Sequence, residues 1–169
     1  MKILETERLL LRHLSIDDAA FMLELMNEPS YIQNIGDRRI RTLEGAKVYI
    51  TKGPMVSYAT NGFGLDLVSL KETGESIGIC GLIKRETLED VDIGYAFLPK
   101  FWLKGYAVES ALAVKQFARD VVGLKRIVGI TNPDNIGSIR VLEKIGMKFE
   151  KMVKLSEDDI ELKLFSVDL

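Results

Sequence analysis

The chain of 169 residues has one cysteine, one histidine, one tryptophan and four prolines. A lone cysteine, Cys80, excludes an internal disulfide and any zinc site built on cysteine pairs. Its place in the apolar run Ile77 to Ile83 makes it core rather than nucleophile. The net charge of −2 shows no surplus of either sign, which removes any general attraction to nucleic acid, and the cations Lys104, Arg119, Lys125 and Arg126 are scattered. No apolar run approaches the roughly 18 residues of a membrane span. Met1 to Thr6 runs straight into charged positions instead of a signal core. These absences predict a cytoplasmic protein with no membrane and no nucleic-acid partner. Nucleotide-binding patterns of the forms Gly-x-Gly-x-x-Gly and Gly-x-x-x-x-Gly-Lys-Ser/Thr are missing too. Gly74 to Gly78 does fit Gly-x-Ser-x-Gly, but a hairpin turn precedes it and a strand follows, and His13 lies too early in the chain for a hydrolase of that kind.

What is present is a chain 47% hydrophobic and 28% charged, long enough to bury a sizeable core as a single domain over residues 1–169. Arg8 to Leu14 reads as a first strand. Ser15 caps a helix from Ile16 to Met26 that stops near Pro29, and Leu43 to Lys52 is a second helix. Phe63 to Leu70 and Ser76 to Lys84 form a hairpin, as do Lys148 to Lys154 and Asp159 to Val167. The segments Tyr31 to Arg41 and Pro54 to Gly62 show no clear period.

The middle of the chain carries the most information. Val91, Ile93, Tyr95 and Phe97 alternate with smaller or polar residues in the period of a strand. Phe101-Trp102-Leu103-Lys104-Gly105-Tyr106-Ala107 then turns into a helix whose apolar face is Ala107, Ala111, Val114, Ala118 and Val121, with Gly123 as its stop. Arg126 to Thr131 follows as a second strand, so the unit is βαβ with a parallel pair. The free N–H groups and positive dipole end of that helix make the turn at Gly105 a phosphate site. A second turn, Asn132-Pro133-Asp134-Asn135, opens a short helix in which Asn135 is the N-cap and Ile136, Ile139, Leu142 and Ile145 are the buried face, ended by Gly146.

With Glu7-Arg8-Leu9-Leu10-Leu11-Arg12 at the start and Asp92-Ile93-Gly94-Tyr95 in the middle, the order and spacing of these segments resemble the GCN5-related N-acetyltransferases (GNAT). Within that family the chain is similar to the branch whose members acetylate the N-termini of ribosomal proteins. The resemblance covers almost the whole chain. It implies an α/β (α+β) fold with a mixed, mostly antiparallel sheet of about seven strands, a parallel pair splayed at its centre, and about four helices on the two faces.

The resemblance also implies direct transfer of the acetyl group of acetyl-CoA to a primary amine, either a protein N-terminus or a small molecule, with no metal, by a monomer or homodimer. The family loop Gln/Arg-x-x-Gly-x-Gly/Ala falls on Trp102, Gly105 and Ala107, where Trp102 departs from it. Leu103 stands where relatives often have Gly and meets a steric cost only at positive φ. Backbone N–H groups of Leu103, Lys104, Gly105, Tyr106, Ala107 and Val108 would hold the pyrophosphate, with Lys104 adding charge. A backbone N–H of Phe97 or Leu98 would hold the oxyanion. Many relatives have a tyrosine as thiol acid where this chain has Leu142; the ribosomal-protein branch points instead to Ser138, with Asn135 orienting pantetheine or substrate. Asp92 is the candidate base, with Glu86 and Glu89 as further carboxylates. Period-two logic sends Asp92 and Tyr95 to opposite faces, and the plainer reading of the pair is a solvent-facing Asp92 and a core Tyr95. The alternative function is a non-catalytic acyl-CoA-binding module.

Overall fold

The apolar runs pair into one sheet. In the computed structural model, which describes residues 2–169, the strands are β1 (Lys2–Glu5), β2 (Leu9–His13), β3 (Leu65–Leu70), β4 (Ser76–Ile83), β5 (Asp92–Phe97), β6 (Arg126–Thr131), β7 (Lys148–Val153) and β8 (Leu162–Asp168). They lie in the order β1-β2-β3-β4-β5-β6-β8-β7, antiparallel except for β5 and β6. The helices are α1 (Ala19–Met26), α2 (Pro29–Asn34), α3 (Leu43–Lys52), α4 (Pro54–Asn61), α5 (Tyr106–Phe117) and α6 (Ile136–Lys144).

The sheet has one strand more than the expected seven, because Lys2–Glu5 pairs with β2. Two helices more than the expected four occupy the segments that lack a period. Both begin at a proline, Pro29 and Pro54, whose missing N–H is no loss at the first helical position. Neither is long enough to display an apolar stripe, and α2 buries only Tyr31. Pro29 therefore starts a helix only three residues after the end of α1. Ser15 does cap the first helical stretch, in a capping box with Asp18, but the first turn, Ile16–Asp18, is 3-10. The last strand starts at Leu162 instead of Asp159.

Alternation along the strands sorts the core into two layers. Leu9, Leu11, Val68, Ile77, Cys80 and Ile93 face α5 and α6 with Ala111, Val114 and Leu142. Leu14, Leu67, Ile79 and Leu98 face the other side with Met22, Leu25 and Ile50 from α1 and α3. Each large aliphatic side chain so buried contributes about 1.5–3 kcal/mol. Among the described residues no helix is long and apolar enough to cross a membrane.

One break in the sheet positions the site. β5 and β6 share a single register pair, Asp92 with Val128, where Val128 N–H donates to Val91 O at 3.0 Å. Beyond it the two strands diverge toward their C-terminal ends.

Candidate active site

The loop after β5 is built around an uncapped helix end. Gly105, the residue before α5, has φ +83°, and no side chain caps the helix. The first bond into this turn runs from Glu109 N–H to Gly105 O at 3.0 Å, so the N–H groups of Tyr106, Ala107 and Val108 have no partner within the helix. Leu103 also takes positive φ, +61°. Its side chain is entirely exposed, at 106% of the reference area, so the loop avoids a clash within the chain but carries a backbone cost of about 1–2 kcal/mol. The backbone N–H of Trp102 donates to Pro99 O at 3.1 Å. The indole N–H donates to Phe97 O at 2.9 Å, so the side chain ties the loop to the end of β5.

Arg8 holds the loop from near the start of the chain, a role that no local pattern signals. Its Nε donates to Glu109 at 2.7 Å and its Nη1 to Lys104 O at 2.9 Å, and its guanidinium lies 4.4 Å from the centre of the Tyr106 ring. Glu109 also accepts from Thr6 Oγ1 at 2.6 Å and from Arg8 N–H at 2.9 Å. The turn between β1 and β2 is thereby fastened to the first turn of α5.

At the gap between β5 and β6 the two candidate oxyanion donors differ. Leu98 N–H is already donated to Ile77 O at 3.0 Å. Antiparallel alternation sends the N–H of its neighbour Phe97 the other way, toward the gap. Asn135 caps α6 as read from sequence, its Oδ1 accepting from Ser138 N–H at 3.2 Å. Ser138, in the first turn of α6, meets the Tyr95 hydroxyl, which lies 2.9 Å from Ser138 Oγ and 3.1 Å from Ser138 O. Leu142 is 1% exposed and rests on Gly129, where an added Cβ would lie 2.7 Å from Leu142 Cδ2. It is a core side chain, so α6 brings no acid to that position.

Asp92 is not solvent-facing, which corrects the plainer expectation. It is 1% exposed and its Oδ2 accepts from Arg85 Nε at 2.8 Å, while Oδ1 has no hydrogen-bond partner among the described residues. Burial pushes the carboxyl up to about 6, and the Arg85 cation pulls against that rise. The reason is register: Asp92 lies at the closed end of the parallel pair, on the face covered by α1 and α3. Tyr95, on the opposite face, is the one aimed at Ser138. Near Arg85 on the Asp92 side lie Tyr31, Arg38 and Tyr49, with the Arg38 guanidinium 5.9 Å from the Tyr49 ring centre and the Tyr49 phenol pushed up by burial. Asn132 Nδ2 donates to Asn34 O at 3.2 Å, joining α2 to the loop after β6. Glu86 and Glu89 are exposed in the β4–β5 connection.

An open parallel pair, a helix N-terminus at its mouth and a capped serine helix beyond it coincide with a family model described as the acetyltransferase (GNAT) domain, which matches residues 8–148. The chain belongs to the GNAT acetyltransferase family. As a GNAT protein it is an acetyl-CoA-dependent N-acetyltransferase. It is 30% identical over 149 residues to the uncharacterised N-acetyltransferase YnaD of Bacillus subtilis, covering 88% of this chain and 84% of YnaD. Among solved structures it is similar to an acetyltransferase of Agrobacterium tumefaciens, with a TM-score of 0.83 and 25% identity over 99% of this chain and 94% of the other. The GNAT fold is shared with RimL, a ribosomal L7/L12 alpha-N-protein acetyltransferase solved with coenzyme A, at TM-score 0.84, 17% identity and coverage of 100% and 98%. Among the described residues no group of three or more His, Cys, Asp or Glu is placed to hold a metal ion.

Proposed function

We propose that residues 1–169 form one N-acetyltransferase domain that moves the acetyl group of acetyl-CoA directly to a primary amine in a ternary complex. The observation that carries this reading is the single bonded pair, Asp92 with Val128, beyond which β5 and β6 open toward the unclaimed N–H groups of α5. Pyrophosphate sits on the N–H groups from Leu103 to Val108, where the helix dipole favours an anion. Pantetheine then lies in the gap, and the thioester carbonyl meets the N–H of Phe97.

The amine approaches from the side of Tyr31, Arg38 and Tyr49. An ammonium has no lone pair, so its proton must leave first. Asp92, pushed up to about 6, is ionised at neutral pH and receives that proton through water, since its carboxylate is buried. The nitrogen attacks the carbonyl carbon, the C–S bond breaks with its electron pair on sulfur, the second proton of the nitrogen leaves to solvent water, and Ser138 Oγ–H donates a hydrogen bond to the sulfur. Asn135 fixes Ser138 by capping its helix. The amine is a protein N-terminus or a small molecule; the neighbour RimL, named for a ribosomal protein, supports testing the first.

Calorimetric titration with acetyl-CoA tests the donor site, followed by thiol release against a panel that includes short peptides with free N-terminal serine or alanine. Micromolar binding and turnover on a primary amine is the expected outcome. Absence of binding overturns the loop assignment, and binding with no turnover on any amine makes the chain a non-catalytic acyl-CoA module.

A further inference from the structure

The thiol acid that many relatives place on the equivalent of α6 has no counterpart there, because Leu142 is committed to the core against Gly129. A phenol nevertheless reaches the same serine from the sheet. Tyr95 projects from the stretch of β5 between Ile93 and Phe97 that pairs with β4 but not with β6, on the face toward α5 and α6, and places its hydroxyl 2.9 Å from Ser138 Oγ. We infer that Tyr95 is the positioning residue for Ser138: its O–H donates into Oγ and leaves the serine's own hydrogen to point at the thioester sulfur. This rests on the reading of Ser138 as the donor to sulfur.

A serine hydroxyl has one hydrogen and rotates freely about its Cβ–Oγ bond. Two arrangements satisfy the pair when the gap is empty. The phenol can donate to Ser138 O, 3.1 Å away, while the serine hydrogen goes to the phenol oxygen; or the phenol can donate to Oγ, which releases the serine hydrogen. Charge building on sulfur selects the second, because each O–H in a chain polarises the next. The positive end of α6 favours the same anion.

The phenol stays protonated throughout. Burial raises it, the hydrogen bond with Ser138 opposes this only in part, and the nearby Cys80 and Asp92 act with burial, so it remains a donor at every working pH. During transfer the N–C bond forms, the C–S bond breaks, the electron pair goes to sulfur, and the nitrogen, whose first proton has gone to the base, sheds its second to solvent water. Neither Tyr95 nor Ser138 has to lose its proton.

The probe is coenzyme A itself, whose thiol is titrated by ultraviolet thiolate absorbance while bound to the wild-type protein, Tyr95→Phe, Ser138→Ala and the double variant. The wild-type complex is expected to titrate below free coenzyme A. Tyr95→Phe raises the bound thiol pKa by about 1, the worth of one hydrogen bond to a developing charge. Ser138→Ala raises it at least as far, and the double variant no further than Ser138→Ala. Coenzyme A affinity at low pH, where the thiol is neutral, is unchanged in Tyr95→Phe, which a merely structural role for the ring would not predict alongside the thiol shift. If Tyr95→Phe fails to fold, Tyr95→3-fluorotyrosine keeps the ring and supplies a more acidic donor, and the bound thiol moves the opposite way. A Tyr95→Phe complex that titrates like wild type while Ser138→Ala is shifted overturns the inference and leaves Ser138 in place. Additive shifts overturn it as well, because Tyr95 then acts on sulfur directly. If neither variant moves the thiol, the reading of Ser138 falls and this inference with it.

Discussion

Asp66 has no business in an apolar layer unless it is neutral. It is 6% exposed on β3, its Oδ1 has no hydrogen-bond partner among the described residues, and its neighbours across the strands are His13 and Cys80. The closest ring nitrogen, His13 Nε2, is 4.0 Å from Oδ1, and His13 is itself stacked on Tyr58 and held below its ordinary value by burial. Burial pushes the Asp66 carboxyl up to about 7, and the Tyr58 hydroxyl opposes this only in part. In the unfolded chain the same carboxyl titrates at about 3.9. A folded value raised above the unfolded one means that the stability contribution is fully present below about pH 4 and is lost as the pH climbs through about 7. Asp66→Asn has the shape of the protonated acid and cannot ionise. Integrating the two titrations, its stability advantage over wild type grows by about 2.5 kcal/mol from about pH 5 to about pH 8. Any fixed cost of fitting the amide cancels in that difference. Urea unfolding followed by circular dichroism at several pH values measures it, and thermal midpoints should separate by about 5–10 °C more at the higher pH for a chain of this length. An advantage that stays constant with pH would refute the claim that a buried carboxylate is being forced to ionise.

Two further predictions concern the loop. Leu103→Gly should stabilise the protein by about 0.5–1 kcal/mol, since it relieves a positive φ worth about 1–2 kcal/mol and loses about 0.5–1 kcal/mol to the freer unfolded chain. The side chain buries nothing, so a lower thermal midpoint would show that the strain is not there. Arg8→Ala should weaken acetyl-CoA binding about fivefold, because the loss of a hydrogen bond to Lys104 O and a half-exposed pair with Glu109 together are worth about 1 kcal/mol. Trp102, the only tryptophan, sits in the loop and reports the titration by its fluorescence; an unchanged dissociation constant would uncouple the β1–β2 turn from the loop.

Local order was legible in the sequence wherever the residues that decide it are neighbours. The period-two run from Val91 to Phe97, the N-cap at Asn135 and the glycine stop at Gly123, observed at φ +81°, each depend on a few consecutive residues. So did the parallel pair, since strand, helix and strand in that order leave little choice. The proline-started helices α2 and α4 escaped because short helices have no period to read, and their places are fixed by contacts such as Asn132 with Asn34, 98 residues apart.

The side-chain constellations were decided by tertiary structure alone. Arg8 and Glu109 are 101 residues apart, and Tyr95 and Ser138 are 43. No local signal joins them, because the bonds exist only once the β1–β2 turn lies on α5 and α6 lies over the gap. Sequence could set Asp92 and Tyr95 on opposite faces, but which face met the serine and which was sealed under α1 and α3 depended on how the layers closed. Leu103 makes the same point at one residue: its type was plain in the sequence, but its positive φ belongs to a loop that Arg8 holds from outside and that Trp102 ties to the end of β5.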